Sequence, residues 1–126
     1  MNYMKYILII IALALVFWGG YKIMNKDAEL VLMDSEVKTF VVVGKPFSFT
    51  PSEIRVKEGD TVRIVFQNEQ GTHDWVIDEF DARTQVLQAN QSETIDFRAT
   101  KKGSFEFYCS VGNHRAMGMK GALIVE

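Results

Sequence analysis

Cys109, His114 and Met119 fall in the last eighteen residues, CSVGNHRAMGMKGALIVE, as a C-x4-H-x4-M series. Cys109 is the only cysteine in the chain. Of the two histidines, the other is His73, far upstream at the start of a strand-like run. One thiolate, two imidazoles and a thioether make a soft set of nitrogen and sulfur donors. Two His and one Cys in a trigonal plane, with a weak axial Met, is what a mononuclear electron-transfer copper site requires. A lone cysteine excludes an internal disulfide and a tetracysteine zinc site. It also leaves no second thiolate to bridge a binuclear copper centre.

Each of these residues has a plainer explanation. A free cysteine is often a buried core thiol, and a histidine at a strand end can be structural. The spacing of Cys109, His114 and Met119 favours ligation for all three. Met117 competes with Met119 for the axial place, and the Lys120-Gly121 that follows favours Met119. Trp75, Phe47 and Phe49 read as core aromatics. Lys101-Lys102 reads as a solvated turn.

Strands must position such a set, and the pattern from Thr39 onward is β. Phe40 to Val43 is a short apolar run. Ile54 and Val56 alternate with Arg55 and Lys57, and Glu58-Gly59-Asp60 makes a turn. Val62, Ile64 and Phe66 alternate next, and Trp75 to Ile77 is apolar on both faces. Thr94 to Arg98 alternates around Ile95 and Phe97, and Ala122 to Val125 closes the chain. Short strands with turn signals at this spacing predict an all-β sandwich. Phe105, Phe107 and Cys109 share one strand face, so the thiol is expected to point inward. A turn at Gly112-Asn113 then brings His114 back toward the same pole.

The chain has 126 residues, which supports one soluble domain. Residues 39–126 are read as that domain and 27–38 as a polar linker. Residues 1–26 hold an apolar run, Tyr6 to Gly20, preceded by Lys5. Apolar all round, the run is expected to form one N-terminal helix ahead of the sandwich. No small-x-small cleavage site follows it cleanly, because Trp18, Tyr21 and Lys22 crowd the position. If Lys22 snorkels, Ile7 to Met24 is just long enough to span a bilayer. An uncleaved membrane anchor is favoured over a cleaved signal peptide. All 16 acids but only 11 of the 14 basic residues lie after Lys26, a net charge of −5. That balance leaves no nucleic-acid footprint. No paired carboxylates, serine nucleophile motif or phosphate-cradling glycine loop points to an enzyme.

The segment FSFTPSEIRVKEGD, Phe47 to Asp60, together with the C-x4-H-x4-M ending, resembles the cupredoxins, the plastocyanin- and azurin-like blue copper proteins. The likeness covers Phe40 to Glu126, and the loop spacing is similar to that of rusticyanin and the auracyanins. The resemblance implies an eight-stranded Greek-key sandwich and one copper ion, Cu(I)/Cu(II), held by His73, Cys109, His114 and Met119. It implies one-electron transfer between redox partners such as a cytochrome, oxidase or reductase, in an extracytoplasmic or periplasmic setting. The soluble domain is expected to be monomeric. There are departures. Many relatives carry Pro-Gly before the loop histidine, where this chain has Gly112-Asn113. Plastocyanin-like members often place Asn after the first histidine, where this chain has Asp74. A copper-storage or copper-delivery module is the alternative, since the same ligands could serve it. A small copper enzyme would need an open coordination position, and Met119 argues against one.

Overall fold

The computed structural model describes residues 3–33 and 37–126; within the N-terminal helix it places the side chains of residues 3, 4 and 6–19. The chain divides into two compact units, Met1–Asp34 and Ser35–Glu126.

The first unit is one helix, α1 (Tyr3–Met33). Its described large apolar side chains, Ile7, Leu13 and Phe17 among them, are more than half exposed. Among the described residues, no helix is long and apolar enough to cross a membrane. The expectations for Lys5, Lys22 and Lys26 concern side chains outside the described residues. The helix runs on to Met33, through the first part of the stretch read as linker. Residues 34–36 of that stretch also lie outside the described residues. The first strand opens at Val37, two positions before the expected Thr39.

The second unit is a two-sheet β-sandwich. Its strands are β1 (Val37–Lys45), β2 (Ser48–Thr50), β3 (Glu53–Val56), β4 (Thr61–Asn68), β5 (Val76–Ile77), β6 (Ala82–Arg83), β7 (Gln91–Arg98), β8 (Gly103–Tyr108) and β9 (Lys120–Val125). One sheet runs β2-β1-β4-β7 and the other β3-β9-β8-β5-β6. β1 pairs with β4 and β3 with β9 in parallel, and the other pairings are antiparallel. The chain leaves the first sheet after β2, adds β3 to the edge of the second, and returns as β4. Such crossings between sheets build the expected Greek-key sandwich. The count of nine among the described residues, against an expected eight, includes two strands of two residues each.

Alternation decides what faces the core. In β4, Val62, Ile64 and Phe66 are fully buried while Arg63 and Gln67 face out. Ile54 and Val56 point inward from β3. Trp75, Val76 and Ile77 are all buried, as their unbroken apolar run suggested. Phe107 packs against Trp75 and Phe49, with ring centroids 5.1 and 5.6 Å apart. Cys109, two residues beyond Phe107, continues that inward face and is fully buried in the same core.

Candidate metal centre

Cys109 follows directly on β8. Its N–H donates to the Met119 carbonyl at 3.1 Å, so the two ends of the loop between β8 and β9 are tied together. Within the loop the His114 carbonyl accepts from Met119 N at 3.0 Å. The C-x4-H-x4-M spacing is therefore the length of a closed loop, pinned at its ends and at its middle. Met119 is fully buried, whereas Met117 is 51% exposed.

His73 comes from the stretch between β4 and β5. It exchanges two backbone hydrogen bonds with Leu87, at 3.1 and 2.8 Å. Asn68, buried at the end of β4, donates its amide to the carbonyls of Gly71 (2.7 Å) and Leu87 (3.0 Å). One side chain thus ties the bend before His73 to the Leu87 segment that pairs with it. Gly71 has φ +81°, and a Cβ there would lie 2.8 Å from His73 Nε2. Glycine is needed at that position both for the backbone and for the imidazole.

These two segments bring three donor atoms together. His73 Nδ1 lies 3.1 Å from His114 Nδ1. Cys109 Sγ lies 3.8 Å from His73 Nδ1 and 3.6 Å from His114 Nδ1. A metal at the centre of a plane, with imidazole nitrogens at about 2.0 Å and a thiolate at about 2.3 Å, would set the nitrogens about 3.5 Å apart and each about 3.7 Å from sulfur. The triangle has nearly those edges. His73 and Cys109 are buried and His114 is half-buried.

The electrostatics suit neutral imidazole and a shielded thiol. Burial, reinforced by the neighbouring His114, pushes the pKa of His73 down. Burial pushes the Cys109 thiol up. A metal must therefore displace the thiol proton on binding. Asp74 is 1% exposed and links the two segments from the other side. Its Oδ1 accepts from Ser110 N at 2.6 Å, and its Oδ2 accepts from the Ser110 hydroxyl. Ser110 is the residue after Cys109, so this carboxylate joins the His73 strand to the cysteine.

Phe47 corrects one expectation. It was read as core, but it is 40% exposed and its ring meets the His114 ring edge-on. Phe49, Phe66 and Trp75 are buried. The reason is backbone geometry. Phe47 has φ +61° in the two-residue turn between β1 and β2, which breaks the alternation that would have put it beside Phe49. Asn68, Gly71, Leu87, Ser110 and Phe47 all shape the site without having been singled out in the sequence for it. Gly71 two residues before a candidate ligand, and Pro46 opening a turn before Phe47, were the available signals.

Residues 8–125 match the family of cupredoxin-like domains. The chain belongs to the cupredoxins. This cupredoxin is 32% identical over 114 residues to the plastocyanin minor isoform of Arabidopsis thaliana, a match covering 79% of the chain. It is 30% identical over 105 residues to the copper-resistant cuproprotein CopI of Rubrivivax gelatinosus, covering 68% of the chain. The chain spans 64% of the length of each of those two proteins. Its fold matches auracyanin A of Chloroflexus aurantiacus, a "blue" copper protein, with a TM-score of 0.64 at 21% identity, covering 71% of this chain and 99% of that one. One copper ion is the cofactor that the His-Cys-His donor set fits.

Proposed function

We propose that this cupredoxin is a type 1 copper electron carrier working between extracytoplasmic redox partners. The observation that carries the reading is the convergence of His73 Nδ1, His114 Nδ1 and Cys109 Sγ within 3.1–3.8 Å of one another. Met119 would supply the fourth, thioether ligand in this reading. Its full burial and its backbone bonds to Cys109 and His114 favour it over the exposed Met117. Bound copper supplies a one-electron couple.

The chain's own residues do the rest. Cys109 gives up its proton on binding, and His73 stays neutral and ready to coordinate. The paired backbone of His73 and Leu87, and the closed loop from Cys109 to Met119, keep the donors where they are. A rigid site lowers the reorganisation cost of a change in oxidation state. Burial of Cys109 and Met119 keeps water from the sulfur side. His114, half-buried, offers the edge through which electrons pass. Phe47, Met117 and Ala116 are exposed beside it in space or sequence, and Val111 is half-buried. A small apolar patch of this kind gives brief, weak docking, as short-lived redox complexes need. A cytochrome, an oxidase or a reductase is the class of partner.

The apolar run Tyr6–Gly20 supports a membrane anchor that would confine the domain to the membrane surface. A cleaved signal peptide would release the same domain into the periplasm. Copper storage or delivery is the second reading, favoured by the likeness to a copper-resistance cuproprotein.

Voltammetry and chelator competition on the copper-loaded chain separate the two. A carrier shows a reversible one-electron couple and slow copper loss. Rapid transfer of copper to a chelator without a reversible couple would support delivery instead.

A further inference from the structure

Asp74 is a buried carboxylate beside the first histidine, and its surroundings are unequal. On the inner side, Ser110 donates to both oxygens. On the outer side, the only cation within ion-pair distance among the described residues is Arg83, with Nη2 3.7 Å from Asp74 Oδ2. Arg83 Nη2 also lies 3.4 Å from Ser110 Oγ. The side chain of Asp74 is 1% exposed and that of Arg83 is 62% exposed. Arg83 therefore caps the Asp74–Ser110 link from the surface.

The fold places it there. β5 and β6 pair Val76 with Arg83, and Thr84 N donates to the Trp75 carbonyl at 3.0 Å. Trp75 N donates in turn to Thr84 Oγ1 at 3.0 Å. This register fixes Arg83 two residues from Asp74 across the ladder. A carboxylate can only accept, so a Ser110 N–H, a hydroxyl and a guanidinium are matching partners. Removing the cation from such a pair leaves a buried charge poorly compensated.

We propose that Arg83 is a positioning and potential-setting residue of the metal centre, acting through Asp74 and Ser110 on Cys109. It rests on the copper reading given above. Arg83 offsets the Asp74 charge, and that charge otherwise favours the oxidised metal. It also keeps Ser110, and with it the cysteine backbone, in place. An arginine far along the chain, touching no donor atom, thus sets the charge at the site.

The test is a double-mutant cycle on the full chain with Arg83→Gln and Asp74→Asn, read in two ways. Thermal unfolding of the copper-free protein reports the clamp itself. The reduction potential of the copper-loaded protein reports its reach to the metal. Arg83→Gln is expected to lower both the Tm and the potential, and Arg83→Lys to restore most of each. Asp74→Asn is expected to raise the potential. In the Asp74→Asn background, Arg83→Gln is expected to leave the Tm unchanged and to lower the potential by less, since only the direct charge of Arg83 on the metal then remains. Equal effects of Arg83→Gln in both backgrounds would overturn the proposal. So would coupling in Tm without coupling in potential, because the clamp would then be structural only. The copper-free cycle can be read even if no type 1 site forms, so failure of the copper reading is distinguishable from failure of the clamp.

Discussion

The rings of Phe47 and His114 meet edge-on, 5.4 Å between centroids and 85° between planes. Phe47 does so from a left-handed backbone, φ +61°, that costs a bulky residue about 1–2 kcal/mol. An exposed aromatic held in a costly conformation against a donor histidine suggests a functional constraint. Phe47→Gly relieves the backbone strain but loses an aromatic contact worth about 0.5–1.5 kcal/mol. Stability is therefore expected to change by no more than about 1.5 kcal/mol. Copper release to a chelator is expected to become faster, because His114 loses the ring that holds its edge. Unchanged release kinetics would show that Phe47 does not restrain His114.

Gly71 offers a sharper disruption. Alanine there would be strained at φ +81°, and its Cβ would meet His73 Nε2. Urea unfolding of the copper-free Gly71→Ala protein should show a loss of at least about 1–2 kcal/mol from the backbone alone. Copper affinity should fall with it, as His73 is displaced. Wild-type stability and affinity would mean that this loop yields freely.

The two methionines are expected to behave differently. Met119→Leu conserves volume, so its cost to the fold should stay below about 1.5 kcal/mol. If Met119 is the fourth ligand, as proposed, the reduction potential should rise because the oxidised metal loses an electron donor. Met117→Leu changes an exposed side chain and should leave the visible spectrum alone. The reverse result would make Met117 the axial ligand.

Stability of the copper-free protein should pass through a plateau in pH. His73 lies below its ordinary 6.5, because burial and then His114 oppose its charged form. The unfolded chain binds a proton there that the fold refuses, so stability falls as pH drops below about 6.5. Cys109 lies above its ordinary 9.0 because it is buried. The fold keeps a proton that the unfolded chain has lost, so stability falls as pH rises past about 9.0. Thermal melts across pH should give the highest Tm between those values. A Tm that went on climbing outside them would contradict these shifts.

The site was legible wherever strand alternation or loop length carried it. Phe105, Phe107 and Cys109 are two apart, which is enough to turn the thiol inward. The spacing from Cys109 to Met119 matched a loop closed by backbone bonds. Phe47 was not legible, because alternation from Phe49 buries it and only a positive φ in the turn releases it. Nor was Arg83. Its approach to Asp74 depends on the register of two-residue strands, which local sequence barely specifies. At the other end, the mixed, partly charged stretch 27–38 suggested a linker, and residues 27–33 of it read DAELVLM. Their Ala, Glu, Leu and Met are good helix formers, and the helix continues to Met33.

Cys109 is proposed to bond copper within a trigonal set completed by His73 and His114. The full chain loaded with Cu(II) should be examined by visible absorption and electron paramagnetic resonance. An intense thiolate-to-copper band with a narrow copper hyperfine splitting, both lost in Cys109→Ser, is the expected result. A pale spectrum with ordinary wide splitting, unchanged in Cys109→Ser, would contradict it.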